Sequence, residues 1–530
     1  MTAGLLQLVA KDVEDMYLVS QPQITFFKVL YRRHTMFAIE SLQQDFSNPA
    51  NFGNTVTCTL SKTGDLVNTV TVYVEIPAIP PFIDQLTGKE DRFKKMAWVR
   101  NLGYALIQEV SIEIGGELID KQYGEWMYIW QEVSQSQELD GIDKMIGNIP
   151  EIYKMTNGKE SYALYIPLKF WFCLNPGSSI PIVALQSDVK INITFRNFQE
   201  CVTVGPTNYI EILEDIITFK PGDYIEQTVN GESIYGYVID FDYLTRRLYY
   251  IKIVSPSASE RNFRSLQEVA PATILNNPDY ANNIPYRIYN SLTATYCTPK
   301  PNTVEVVLDA TVQPTPTFGR AFLYVDYVYL DSAERARFVK NSHEYLITQL
   351  IYNRYPQVNS ANVRMRLSLK NLCKAMYWVS QLDSIVGPNT INDRFNFTTS
   401  HIRYPDGSFY GVNPVKEAVI QLNGENRFSP REGYYFNLYQ PYEHQTRGPE
   451  TGINMYSFCL FPESHQPSGT LNASMINDIS LVMSLQNNAK FLSPLAQGNL
   501  ISTKNTVTIK NYTLTYNILR IAFSIAGLAY

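Results

Sequence analysis

Residues 322–350, FLYVDYVYLDSAERARFVKNSHEYLITQL, change character halfway along. A dense run of Leu, Tyr and Val suited to a pleated strand stops at Leu330. Asp331 then stands where a helix N-cap would, with Glu334 three residues later, a carboxylate form of the capping box. Ser342 offers a second cap, so the segment reads as a strand followed by two short helices. A chain that closes a strand and restarts in mid-length is joining two units.

Those units share an order of motifs. VTCTLS (56–61) resembles VRMRLS (363–368), and SIEIGGE (111–117) resembles VIQLNGE (419–425), at offsets of 307 and 308. WFCLNPGSS returns loosely as SFCLFPESHQPSG, and DVKINITF as DISLVMSL, at 286 and 290. FLYVDYVYL then corresponds to YTLTYNILRI. Five matches in one order imply a duplicated unit, whose second copy is expected to begin its strands near Val363. The offset then drops by about another hundred, which places an insertion between Phe195 and Phe322. Inside it, GDYIEQTVNGESIYGYVIDFDYLTRRLYYIKIV reads as a β-meander turning at Asn230–Gly231, or a small barrel. Pro278 and Pro285 then break any regular element.

Elsewhere, short strand-like runs bounded by Asn, Gly and Pro dominate, as in NTVTVYVEI and NTVTIKNYTLTYNI. Helical patterns are few: the opening segment, and 89–100, where Phe93, Met96 and Ala97 have helical spacing. The fold class expected is all-β, built of sandwiches.

Charged residues make up 18% of the 530, against roughly 25% in an average soluble protein, whereas aromatics reach 13% with 37 tyrosines. Sheets favour such residues, and so do large protein contacts. Net charge is −6, and the basic stretches KVLYRR and RFKKMAWVR are short, which disfavours direct nucleic-acid wrapping. Six cysteines, at 58, 173, 201, 297, 373 and 459, form no CxxC pair, so free thiols in a reducing compartment are expected. The N-terminus lacks the basic n-region of a signal peptide, and ILRIAFSIAGLAY is too short to span a bilayer. A soluble, non-secreted chain is expected.

Chemistry-bearing motifs are absent. His34, His343, His401, His444 and His465 fall at no HxH or HExxH spacing, and there is no GxSxG, P-loop or GxGxxG. No catalytic, cofactor or metal residue is assigned, and no enzymatic role is expected. Four sequons, at Asn192, Asn396, Asn472 and Asn511, are near chance for this composition.

The segments GLLQLVAKDVEDMYLVSQPQITFFKVLYRRHTMFAIES, GYALIQEVSIEIGGELIDKQYGEWMYIW, PLKFWFCLNPGSSIPIVALQSDVKINITF, LYVDYVYLDSAERARFVKNSHEYLITQL, MYSFCLFPESHQPSGTLNASMINDISL and YNILRIAFSIAGLAY together resemble the major capsid proteins of nucleocytoplasmic large DNA viruses. The insertion is more like the giant amoeba-infecting branch. Locally the chain departs from the family, with Leu372–Cys373 in LKNLCKAMYW where a His-Pro-Val type phrase is expected.

The resemblance implies a double jelly roll: an N-terminal arm (1–25) facing inward, a first roll (26–332) with its insertion at about 202–320, a linker (333–350) and a second roll (351–530). It implies a homotrimer of pseudo-hexagonal outline that tiles an icosahedral shell. Neighbouring capsomers and minor capsid proteins would be its partners, with an inner viral membrane beneath and assembly in the host cytoplasm. A minor capsid paralogue is one alternative. Another is a jelly-roll carbohydrate-binding protein, with Trp126, Trp130 or Tyr434 as a sugar platform.

Overall fold

The computed structural model describes residues 3–10, 12–84, 87–134, 140–229, 232–253, 262–266, 286–386, 391–503 and 505–530. They form a double jelly roll, two β-sandwiches side by side, with four strands on four in the first and six on five in the second. In the first, one sheet runs Phe37–Asp45, Ala321–Leu330, Leu66–Ile76, Tyr162–Pro167. The facing sheet runs Thr55–Thr59, Val189–Phe195, Ile107–Ile114, Glu117–Tyr123. The second sandwich repeats this order. One sheet is His343–Val358, Val507–Ala522, Leu372–Leu382, Ile453–Ser457, and the other is Asn362–Leu367, Ile479–Leu485, Val415–Leu422, Glu425–Asn426. In both, the first and last strands pair beside the third, the jelly-roll signature.

Alternation sets which faces pack. Val189, Ile191, Ile193 and Phe195 are buried while the residues between them are less so, which fits one face on a core and one outward. All five sequence matches fall on equivalent strands and turns. The turn Gly115–Gly116 and its counterpart Asn423–Gly424 both have positive φ, where glycine and asparagine are tolerated.

At the joint, Asp331 caps the helix Ser332–Lys340 as expected, with Oδ1 accepting from the amides of Ala333 and Glu334 at 2.8 Å. The second helix is absent. His343–Val358 is instead a sixteen-residue strand pairing with Val507–Ala522, so the second copy opens twenty residues before Val363. His343 Nε2 bonds the carbonyl of Phe338 at 2.7 Å, closing the helix just as the strand starts. The 89–100 helix is also corrected. Asp91 Oδ1 accepts from the amides of Phe93 and Lys94, making a turn, and Lys95–Trp98 extends as a strand against Val202–Gly205. Its apolar residues are buried on both faces, which erases the period-two signal.

The insertion carries an antiparallel sheet with its own apolar core around Ile210, Ile225, Leu248, Tyr250 and Ile288. The meander is present as Tyr224–Val229, Glu232–Asp242 and Arg247–Ile253. Among the described residues the sheet is an open path ending at Tyr296–Cys297 and Val306–Val307, not a closed barrel. The Asn230–Gly231 turn and Pro278 and Pro285 lie outside the described residues.

Candidate assembly surfaces

Successive strands reverse direction, so alternate connections share an end of each sandwich. One end gathers the long connections: 46–54, 77–106, 124–161 and the insertion in the first copy, and 383–414, 427–452 and 486–506 in the second. The other end holds both chain termini, the helix Ser332–Lys340, the tight turns and the connections 168–188 and 458–478. Bonds between copies fix the two sandwiches in the same orientation. At the long-loop end Thr203 Oγ1 donates to the carbonyl of Ile391 at 2.9 Å, and Tyr224 and Ile253 of the insertion pack on Ile402. At the opposite end the amide of Gln186 donates to the carbonyl of Ser524 at 3.1 Å. The molecule is thus polar, with elaborated and plain ends.

Between the sandwiches lies the helix Gly124–Ser134, buried along almost its whole length. Trp126 stacks near Tyr512 and meets Tyr377 edge-on, with centroids 5.9 and 5.3 Å away. Glu125 is the charged centre of this junction. Lys510 donates to its Oε2 at 2.7 Å, Tyr512 OH does so at 2.9 Å, and Arg196 and Arg394 approach Oε1 at 3.8 and 3.7 Å. Burial pushes the Glu125 carboxyl up, but Lys510, Arg196 and Arg394 together outweigh it and hold the group at about 2. Nearby, Asp120 accepts from the amide of Leu350 at 3.0 Å, and burial raises it to about 6. Tyr128 OH donates to Glu450 at 2.9 Å, and Glu132 meets Arg447 at 3.7 Å. Apolar packing and buried charge pairs from both copies thus make the two sandwiches one unit; the same apolar core contains Val72, Ile166 and Trp126 of the first and Tyr377, Tyr512 and Leu519 of the second.

Two apolar surfaces stand out as exposed. Among the described residues, the N-terminal stretch up to Phe37 is exposed, including Leu18, Phe26, Phe27 and Tyr31. On the second sandwich, Tyr434, Leu438, Tyr439 and Tyr442 are exposed together. Contiguous apolar surface of this kind marks contact sites.

Trp126 and Trp130 are buried in the junction, so neither can be a sugar platform, whereas Tyr434 is exposed. The five histidines are scattered. His401 is fully buried between Tyr224 and Tyr235, and burial lowers it to about 4. His444 bonds the carbonyl of Leu460 and His465 the hydroxyl of Ser178. Among the described residues no three of His, Cys, Asp or Glu are placed to hold a metal ion. All six cysteines are free. Asn396 and Asn511 are fully buried, and Asn192 donates to Glu113, while Asn472 is exposed. Sequence reasoning does not identify the junction helix, although it favours core or interface burial for Trp126 and Trp130, and both are buried.

Two family descriptions match the chain: "Major capsid protein N-terminus" over residues 25–235 and "Large eukaryotic DNA virus major capsid protein" over 334–527. This chain belongs to the major capsid protein family of large eukaryotic DNA viruses. Among its relatives is "Probable capsid protein 4" of Acanthamoeba polyphaga mimivirus, 52% identical over 100% of this chain and 99% of that one. The major capsid protein of Phaeocystis pouchetii virus is 30% identical over the whole of both chains. In fold, the chain is similar to PBCV-1 VP54, with TM-score 0.62 and 23% identity over 96% of this chain and 100% of that one. It is also similar to the Faustovirus major capsid protein, with TM-score 0.63 and 12% identity over 97% and 94%. The function of this capsid protein is structural, as a building block of the virion shell.

Proposed function

We propose that three copies close into a capsomer of pseudo-hexagonal outline, and that such capsomers tile an icosahedral facet. The supporting observation is the repeat itself: two like-oriented sandwiches fixed side by side, so that three chains present six similar corners. Polarity along the sandwiches suits a tile. The insertion and long loops would face outward. The exposed apolar arm, residues 1–25, would face inward toward minor capsid proteins and an inner membrane, with assembly in the host cytoplasm. No catalytic role is assigned.

Light scattering of the purified chain over a range of concentrations tests this. A stable species near three times 60.6 kDa is expected. A monomer at every concentration overturns the capsomer reading. A second reading is a minor shell paralogue, since one mimivirus carries at least two related proteins, "Probable capsid protein 4" and "Capsid protein 1", 52% and 30% identical to this chain. Protein stoichiometry in purified virions separates the two.

A further inference from the structure

The junction helix has a counterpart in the second copy. Gly124 opens the first helix, and a Cβ there would sit 2.0 Å from the carbonyl oxygen of Tyr104 and 2.4 Å from that of Ile107. Gly433 stands two residues before the second helical segment, a π-helical turn Tyr435–Tyr439 continued by the α-helix Gln440–His444, and a Cβ there would sit 2.0 Å from the carbonyl oxygen of Val415. Ile107 and Val415 open equivalent strands, separated by the same 308 residues as SIEIGGE and VIQLNGE. Aligning the two glycines therefore superposes GEWMYIWQEV on GYYFNLYQPY.

In this alignment Met127 matches Phe436 and Gln131 matches Gln440, and all four are buried. The other side of the helix behaves differently. Glu125, Ile129, Trp130 and Val133 are 6, 0, 8 and 0% exposed, whereas Tyr434, Leu438, Tyr439 and Tyr442 are 65, 50, 51 and 85% exposed. In the first set, Glu125 accepts from Lys510 and Tyr512 and Trp130 meets Tyr377 edge-on, all on the outer sheet face of the second sandwich. Nothing in the described chain covers the second set.

The matching sheet face of the first sandwich is partly open: Tyr165 is exposed and Tyr324 half-buried, whereas Tyr73 and Phe322 are buried beneath them. Strands Leu66–Ile76 and Leu372–Leu382 are both eleven residues long and occupy the same sheet position, so Val379 corresponds to Tyr73. Val379 pairs with Lys510, and Tyr73 pairs with Phe322. Lys510 is therefore replaced by Phe322 at the position where Glu125 is replaced by Tyr434: both halves of a buried ion pair have become aromatic together. Around Phe322 lies a ring cluster. Tyr73 stacks on Phe322 at 4.6 Å, and Tyr165 lies parallel to Tyr324 at 6.3 Å.

We propose that Tyr434, Leu438, Tyr439 and Tyr442 of one copy dock on the next copy at Tyr165 and Tyr324, the accessible members of the ring cluster built on Tyr73 and Phe322, repeating between chains the junction that joins the sandwiches within one. This rests on the capsomer reading and names its interface. The contact is heterologous and closes on itself after three chains. Aromatic anchors at its centre give it the composition of an interface hot spot.

The test uses the full chain with Tyr442→Glu or Tyr439→Glu on the helix, and Tyr324→Glu on the sheet, each checked for an unchanged circular dichroism spectrum. Tyr442, the most exposed of the four, guards against a variant that fails to fold. Each variant alone is expected to run as a monomer in light scattering where the wild type is a trimer. Mixing a helix variant with the sheet variant restores one intact contact and should give a 1:1 dimer. If the wild type is a trimer and folded variants of both kinds remain trimers, this interface is wrong and the capsomer reading stands. Loss of the trimer with helix variants only, or no 1:1 species on mixing, also overturns it. A wild type that is always monomeric removes both.

Discussion

Lys510, on the last strand of the second sandwich, donates to Glu125 Oε2, on the junction helix of the first, across 385 residues of sequence and 2.7 Å of space. Both side chains are buried, and Arg196 and Arg394 complete a cluster with three cations around the one carboxylate. A buried pair of this kind adds little relative to apolar packing, yet removing one partner leaves uncompensated charge.

Glu125→Gln should therefore destabilise the protein by roughly 3–5 kcal/mol, the usual cost of breaking a buried pair. A lower melting temperature and faster proteolysis are expected. Because the folded carboxyl titrates near 2 and its ordinary value is 4.5, the stability it supplies is present above about 4.5 and is lost as pH falls toward 2. Acid unfolding of E125Q should be correspondingly shallower in that window.

Glu132 behaves in the opposite sense. Burial, reinforced by Glu450, raises its carboxyl to about 7 despite Arg447. An acid whose folded pKa is raised favours folding while protonated, so its contribution is present below about 4.5 and declines as pH rises through 7. Asp120, raised to about 6, adds in the same direction. Thermal melts should show lower stability at pH 8 than at pH 5.5. Glu132→Gln should reduce that difference by about 2 kcal/mol, the part of the window between pH 5.5 and 7.

The five matched segments were legible because turns and alternating strands keep their pattern wherever one face is solvated. Legibility failed where that alternation is lost. Lys95–Trp98 lies under the insertion, while His343–Val358 is mostly half-buried or exposed, with only Ile347, Leu350 and Val358 buried, a spacing without period-two alternation, so a strand read as a helix. The junction helix escaped for a related reason. GEWMYIWQ and GYYFNLYQ share only a glycine and a glutamine seven residues later, and aromatics on a helix read alike whether they meet solvent, sugar or a second sandwich. Only the geometry around Gly124 and Gly433 shows that the two helices correspond.

The cysteines offer a simple check on the shared core. Cys58, Cys201, Cys297, Cys373 and Cys459 are buried, Cys173 nearly so, and burial drives the Cys58 thiol to about 11 and those of Cys173, Cys201 and Cys373 to about 12. Thiolate is the reactive form. A thiol reagent at pH 8 should modify the native protein slowly, at one residue or fewer, and all six after denaturation. Reductant should leave the melting temperature unchanged. Fast labelling of several thiols in the native state would contradict the packing.

The paired glycines make the duplication itself testable. Neither Gly124 nor Gly433 is among the residues with positive φ, so their requirement is space alone. At both, a methyl group would collide with a backbone carbonyl that cannot rotate away, because the strands starting at Ile107 and Val415 are held in their sheets by Phe195 and Leu485. Gly124→Ala must displace the helix that carries Glu125 and Trp126 from the second sandwich, so it should cost at least the ~1–3 kcal/mol of an overpacked core and loosen the junction. Gly433→Ala moves a helix whose far side meets solvent in the single chain. It should lower the melting temperature less, while displacing Tyr434 and Tyr442 enough to weaken the trimer. Differential scanning calorimetry and light scattering on the two variants separate these effects. Equal loss of both properties in the two would mean that the helices are not structural equivalents.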